Sequence, residues 1–159
     1  ALEKVDAQLR ETPDDAQARF LKGVIYTETD RTAEAIAVFT KLTGDCREMP
    51  ESYDNLAVLY ARQNLYDKAR MALEMAIQAH PTYATAYENL GDLHAKQASQ
   101  AYAKAVQLDA GSKTAKAKLA LVRDLIARPA KPAPIPAAQP AEAVAAPART
   151  ENASSETSR

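Results

Sequence analysis

The chain has 159 residues, 47% of them apolar, which is sufficient to build the core of one ordinary domain. Its 20 Lys and Arg residues nearly balance its 21 Asp and Glu residues, so we expect neither a nucleic acid nor an anionic membrane surface as partner. The single cysteine excludes an intramolecular disulfide, and no apolar run approaches the roughly 20 residues of a transmembrane helix.

Prolines divide the chain into helical segments. Pro13, Pro50 and Pro81 punctuate residues 1–127, and between them apolar residues recur at helical spacing. The remaining six of the nine prolines fall within residues 128–159, where aromatic residues are absent. Because that composition cannot bury a core, we expect a disordered Pro/Ala-rich tail or linker there.

The segment after Pro50 shows the pattern of a helical hairpin most clearly. Two apolar stripes, in which long side chains alternate with alanine, are separated by the polar, turn-forming sequence RQNLYD. The first stripe comprises Tyr53, Leu56, Ala57 and Tyr60, and the second comprises Ala69, Leu73, Ala76 and Ile77. Alanine lets two helices approach within about 8–10 Å, so we expect the stripes to face each other.

The same pattern recurs at a constant interval along the chain. Gly23, Tyr26, Ala35 and Phe39 correspond to Ala57, Tyr60, Ala69 and Leu73, and the first stripe recurs as Tyr87, Leu90 and Gly91. The interval is the 34-residue period of paired helices that is typical of the tetratricopeptide repeat. The segment YDNLAVLYARQNLYDKARMALEMAIQAHP resembles a nearly complete unit of that family.

This resemblance implies an all-α fold, a right-handed α-solenoid of helical hairpins. Val5 and Leu9, followed by Pro13, match the second helix of an earlier unit. We therefore expect a tetratricopeptide domain over residues 1–127. It divides into a half repeat at 1–13, full repeats at 16–49 and 50–83, a shortened repeat at 84–110 and a capping helix at 112–127.

The third unit lacks the turn between its two helices. Gly91 and Ala98 are closer together in sequence than their counterparts Ala57 and Ala69, because five residues are missing between them. The sequence AKQASQAYAKA offers neither Gly nor Pro in their place. We therefore predict one continuous helix from about residue 83 to about residue 109, followed by a terminal helix that Ser112 caps.

The long helix carries a stripe of mostly small residues. The stripe comprises Tyr87, Leu90, His94, Ala98, Ala101, Ala105 and Leu108. In one interpretation the terminal helix folds back antiparallel and caps the array with an apolar face of Ala115, Leu119, Val122 and Ile126. The alternative is a self-associating scaffold, in which a homodimer forms through His94, Ala98, Ala101 and Ala105.

The sequence carries no motif for catalysis, a metal ion or a cofactor, so we predict a non-enzymatic protein. His80 and His94 stand alone, and Cys46 lies in the loop TGDCREMP, so we interpret all three as structural residues. Gly23 and Gly91 lie within helices, where we expect the close approach of a neighbouring helix.

The resemblance also implies a function, because the family binds extended or helical peptides on a concave surface formed by the first helix of each hairpin. The corresponding residues are Phe20, Val24, Thr27 and Glu28, then Asp54, Asn55, Val58 and Arg62, and then Glu88, Asn89, Asp92 and Lys96. Asn55 and Asn89 occupy the position at which family members bond the backbone of a bound peptide. Phe20, Val24 and Thr85 replace polar residues with which chaperone-binding members hold a C-terminal carboxylate, so we expect an internal peptide or a partner helix.

A narrower resemblance links NLAVLYARQ and ENLGDLHAKQASQAYAKAVQLD to exported bacterial tetratricopeptide proteins of the cell envelope. Some of those proteins carry a domain related to L,D-transpeptidases after the repeats. This resemblance implies a periplasmic or exported scaffold or adaptor, in which the tail links the repeats to a further domain. A cytoplasmic location stays open as the alternative.

Overall fold

The computed structural model describes residues 1–127, and residues 128–159, for which we predict a disordered tail or linker, lie outside the described part. The elements of the described residues are seven α-helices, and almost all contacts between helices join neighbours in sequence, as in a helical solenoid. The helices are α1 (Leu2–Glu11), α2 (Ala16–Glu28), α3 (Thr32–Asp45), α4 (Pro50–Arg62), α5 (Tyr66–Ala79), α6 (Ala84–Leu108) and α7 (Lys113–Ile126). The predicted all-α solenoid is confirmed.

Tight turns built on one left-handed residue close the first two hairpins. Asp30, between α2 and α3, has a φ of 56°, and Asn64, between α4 and α5, has a φ of 59°. Asp and Asn tolerate this conformation because their short polar side chains can bond locally. The two residues lie one repeat period apart, so the chain reverses at the same point of each period.

Between repeats, an N-cap or a proline starts the next helix. The Asp15 carboxylate accepts hydrogen bonds from the backbone N–H groups of Gln17 and Ala18, both at 3.0 Å, and thereby caps α2. The Ala18 N–H is also the main reason that the pKa of Asp15 lies below its usual value. Pro50 begins α4, where its missing N–H costs no helical hydrogen bond.

An aromatic contact holds the first hairpin together. Phe20 of α2 and Phe39 of α3 are almost fully buried, and their rings pack edge to face with centroids 5.5 Å apart. Gly23 permits the close approach of α3, because a Cβ atom built on this residue would lie 2.6–2.9 Å from the Phe39 ring. The expectation of close helix approach at Gly23 is confirmed.

The second hairpin buries the two predicted stripes. Its core cluster includes Tyr53 and Ala57 of α4 and Ala69, Leu73 and Ala76 of α5. Leu56 joins the core of the first hairpin instead, and the Tyr53 hydroxyl donates to the backbone carbonyl of Thr43 at 3.1 Å. α4 therefore connects the first repeat to the second as well as forming its own hairpin.

The third repeat does not fold back on itself. α6 runs without interruption for 25 residues, about 37 Å, over nearly the predicted range. α7 then packs back against α6 and buries Ala115 and Leu119, while the Ser112 hydroxyl accepts the Ala115 N–H at 3.2 Å. The predicted long helix and its capping helix are both confirmed.

The expectation about Gly91 is wrong. This residue is exposed, and a Cβ atom built on it would have no heavy atom of another element within 4 Å. Among the described residues, no helix approaches α6 here as α3 approaches α2 at Gly23. The reason is the missing turn, because the segment that would pack on Gly91 continues along the axis of α6.

Candidate peptide-binding groove

The first helices of the three repeats are α2, α4 and the N-terminal half of α6. α2 and α4 share a core cluster, and α4 contacts α6 directly. Two predicted groove residues lie in this packing: Phe20 contacts Phe39, and Asp54 is fully buried where α4 meets α6. Because their side chains do not reach the surface, the prediction of groove residues is corrected at these two positions.

The other predicted groove residues reach the surface to different degrees. Those that are half-buried are Val24, Thr27, Asn55, Val58, Asn89, Asp92 and Lys96. Those that are exposed are Glu28, Arg62 and Glu88. Because these residues hold related positions of the repeat period, they follow one side of the row of first helices. That side combines apolar, amide and charged groups.

Both predicted peptide anchors make intramolecular hydrogen bonds. Asn55 Nδ2 donates to the carbonyl oxygen of Glu51 in the same helix, at 2.8 Å. Asn89 Nδ2 donates to Asp54 Oδ1 at 2.5 Å and thereby links α6 to α4. This second bond is not predicted from the sequence, although the separation of 35 residues, one period plus one, indicates that the two side chains lie on adjacent first helices.

Burial gives Asp54 unusual acid–base behaviour. Loss of hydration raises the pKa of its carboxyl group to about 6, and the nearby carboxylates of Glu51 and Glu88 also act to raise it. The hydrogen bond from Asn89 favours the ionised form and opposes this rise. Asp54 therefore changes protonation close to neutral pH, where an ordinary aspartate is fully ionised.

Three buried polar atoms near the start of α4 and α6 have no hydrogen-bond partner within residues 1–127. They are Asp54 Oδ2, the Tyr83 hydroxyl oxygen and Ser52 Oγ. Burial, and then the negative charge of Asp54, raise the pKa of Tyr83 above its usual value. Asp54, Asn89 and Tyr83 thus form a polar cluster at the junction of the second and third repeats.

A cleft of about 1030 Å³, which the sequence alone does not predict, adjoins this cluster. Its walls come from the connections between repeats, mainly residues 15–17, 44–51 and 80–83. The free thiol of Cys46 lies in its lining, and His80 Nε2 lies 3.1 Å from the carbonyl oxygen of Glu48. The cleft therefore opens at the N-terminal ends of α2 and α4, beside the start of the groove.

The described residues show neither a metal centre nor a membrane span. Within residues 1–127, no three His, Cys, Asp or Glu side chains group together as ligands for a metal ion. None of the helices in this range is both long enough and apolar enough to cross a bilayer.

The residues predicted for self-association lie along α6. His94 and Ala101 are exposed, and Ala98 and Ala105 are half-buried. α7 packs along α6, and Lys118 Nζ lies 5.7 Å from the centroid of the Tyr102 ring. α7 therefore covers one side of the C-terminal half of α6 and leaves the small residues partly open.

The row of hairpins defines a helical repeat protein of the solenoid class. Its sequence matches the description "Tetratricopeptide repeat" over residues 1–50 and again over residues 50–93. The chain belongs to the tetratricopeptide repeat family. Repeats of this family act as protein–protein interaction modules.

One curated relative is the tetratricopeptide repeat domain-containing protein PYG7, chloroplastic, of Arabidopsis thaliana. The two chains are 31% identical over 91 residues. The match covers 54% of this chain and 30% of the relative, so this chain spans less than a third of that protein's length.

Solved structures of two proteins resemble the fold. The crystal structure of MamA is 21% identical, with a TM-score of 0.56 over 77% of this chain and 75% of that one. The first TPR of Spaghetti (RPAP3), bound to the HSP90 peptide SRMEEVD, is 22% identical, with a TM-score of 0.50 over 71% of this chain and 96% of that one. At these identities the likeness concerns the fold, which is a helical solenoid in each case.

Proposed function

We propose that the chain is a non-enzymatic adaptor that binds an extended peptide or a partner helix along α2, α4 and the first half of α6. The observation that carries this proposal is the pair Asn55 and Asn89, one repeat apart on adjacent first helices. In each amide, the intramolecular hydrogen bond uses one N–H. A side-chain amide has a second N–H and a carbonyl oxygen, and these are the two groups that pair with a peptide backbone.

The Asp54–Asn89 hydrogen bond prepares the groove for binding. Because Asp54 is fully buried, it holds the Asn89 amide in one orientation before a ligand arrives. A side chain that is already ordered loses less conformational freedom on binding, which favours affinity. The polar cluster therefore supports the proposal, although Asp54 itself does not reach the ligand.

The charges of the groove indicate the kind of peptide. Arg62 and Lys96 lie one repeat period apart, so two successive repeats present a cation at the same position. Since Glu28, Glu88 and Asp92 lie on the same surface, the groove favours a ligand with acidic side chains opposite the two cations and basic side chains between them. Phe20 is buried and Val24 is half-buried and apolar, so neither offers a donor to a terminal carboxylate. An internal segment of a partner protein fits this surface better than a free C-terminus.

A binding assay with selected peptides tests the proposal. Phage display against the chain supplies ligands, and fluorescence anisotropy measures their affinity for the wild type and for the Asn55→Ala, Asn89→Ala double variant. We expect binding to weaken by about five- to 150-fold, since each of the two lost hydrogen bonds contributes about 0.5–1.5 kcal/mol. Gln78→Ala, on the exposed surface of the second helix α5, is the matched control and retains wild-type affinity.

The two single variants separate an effect on binding from an effect on stability. Asn89→Ala removes the donor to a buried carboxyl group and is expected to destabilise the fold, whereas Asn55→Ala removes only a contact within α4. Circular dichroism checks that both variants keep their helicity. Wild-type affinity in a folded double variant would contradict the proposal.

A further inference from the structure

One face of α6, along the N-terminal half of this helix, has no partner within residues 1–127. Tyr87 and Gly91 follow Tyr53 and Ala57 by one repeat period and so hold the same positions of their repeat. Tyr53 and Ala57 are 6% and 2% exposed, because they share a core cluster with α5. Tyr87 is 50% exposed, and Gly91 has open space around it. α6 therefore leaves bare the face on which a second helix packs in the other repeats.

The residues that would form the covering helix are present in the sequence, but they cannot contact this face within one chain. The buried residues of α5 include Ala69, Leu73 and Ala76, and their spacing of four and three recurs as Ala98, Tyr102 and Ala105. The recurring residues continue the axis of α6 instead of folding back. Gly91 and Tyr102 are separated by about 16 Å along one helix, so they cannot meet within one chain.

The sizes of Gly91 and Tyr102 indicate that these two residues are complementary. In the first repeat, Gly23 leaves the space that the Phe39 ring occupies. Gly91 and Tyr102 hold the equivalent positions of the third repeat and again combine a glycine with an aromatic ring. A tyrosine ring that fills the space at Gly91 has to come from another chain.

We propose that the bare face of α6 binds a second copy of this chain through antiparallel pairing of two α6 helices about a two-fold axis. One side of α6 carries, at intervals of three or four residues, Tyr87, Gly91, His94, Ala98, Tyr102 and Ala105. Antiparallel pairing places each Gly91 opposite the partner's Tyr102, so the contact forms twice. Each copy then supplies the second helix that the third repeat of the other lacks.

α7 and the peptide groove are compatible with this dimer. Tyr102 is half-buried by α7, with Lys118 Nζ 5.7 Å from its ring centroid, so part of the ring is still accessible. The groove residues Asn89 and Lys96 lie on another side of α6, because they fall outside the three-to-four-residue progression of the bare face. The dimer therefore does not depend on the proposed peptide site.

Sedimentation equilibrium of the full chain over a range of concentrations tests the proposal. We expect a dimer that the Gly91→Arg variant converts to a monomer, because the new side chain occupies the space of the partner's Tyr102. The free chain has nothing near Gly91, so the variant keeps its helicity. Gln100→Arg, exposed on the opposite side of α6, is the matched control and stays dimeric. A dimeric Gly91→Arg variant overturns the proposal, and so does a wild type that is monomeric at every concentration.

Restoring the turn provides a second test. Leu93 to Gln97 follow Leu59 to Gln63 by one repeat period, so an inserted copy of residues 64–68 between Gln97 and Ala98 recreates the turn of the second repeat. We expect this insertion to let the third repeat fold back, bury Tyr87 and give a monomer. An inserted helix-forming segment of seven alanines, about two helical turns, is the control: it lengthens α6 without a turn, keeps Gly91 and Tyr102 on one face and is expected to leave the dimer intact. If the turn insertion leaves the dimer intact, the pairing of α6 helices is refuted.

Discussion

Replacing Asp54 with asparagine is expected to stabilise the fold at neutral pH and to change its stability little in acid. The carboxyl group ionises near pH 3.8 in an unfolded chain, whereas burial raises the pKa of Asp54 to about 6 in the fold. Below pH 3.8 both states are protonated. Between these values only the unfolded chain releases its proton, so the free energy of unfolding falls as pH rises, and above about pH 6 the loss is complete. A difference of about two pH units, at about 1.36 kcal/mol each, amounts to about 3 kcal/mol.

Urea unfolding followed by circular dichroism measures this effect for the wild type and the Asp54→Asn variant at about pH 5 and about pH 7.5. The asparagine oxygen still accepts the hydrogen bond from Asn89, so the substitution removes mainly the cost of a buried charge. The advantage of the variant is expected to be larger at the higher pH. Asp124→Asn, exposed on α7, is the control and shows no such trend. An equal difference between variant and wild type at both pH values would refute the reasoning.

The other predictions concern packing and are measured by urea unfolding. Gly23→Ala is expected to destabilise the fold by about 1–3 kcal/mol, because its Cβ would overlap the Phe39 ring. Gly44→Ala, with nothing within 4 Å, is expected to stabilise α3 by up to about 1 kcal/mol, and a loss of stability there would contradict the helix-propensity argument. Phe39→Ala is expected to cost about 3–5 kcal/mol, and a cost below about 1 kcal/mol would show that the first core does not depend on this ring.

Periodicity accounts for what the sequence predicts well. The stripes of α4 and α5 are predicted because a buried helix face recurs every three or four residues whatever it packs against. The turn between α4 and α5 is predicted for the same local reason, since RQNLYD supplies polar, turn-forming residues that include the left-handed Asn64. The absence of such a residue in the third unit is also local, so the uninterrupted α6 follows from the sequence.

The features that the sequence does not predict depend on how the repeats stack. The repeat pattern predicts Asp54 as a groove residue, but it is fully buried where α4 meets α6, and its bond to Asn89 joins two repeats. Phe20 is likewise buried in a core cluster to which Leu56 and Leu59 of the next repeat contribute, rather than left on the groove. Gly91 lacks the close helix contact that Gly23 makes, since no helix of the described residues packs on α6 at that point. Each case concerns a neighbour distant in sequence, which a local pattern does not specify.

The most direct test of the adaptor assignment is an NMR titration of backbone amides with a peptide selected by phage display. We expect shift changes along α2, α4 and the first half of α6, with the largest changes around Asn55 and Asn89. Shift changes confined to the cleft around Cys46, or to the face of α6 around Tyr87, would place the binding surface elsewhere and contradict the account.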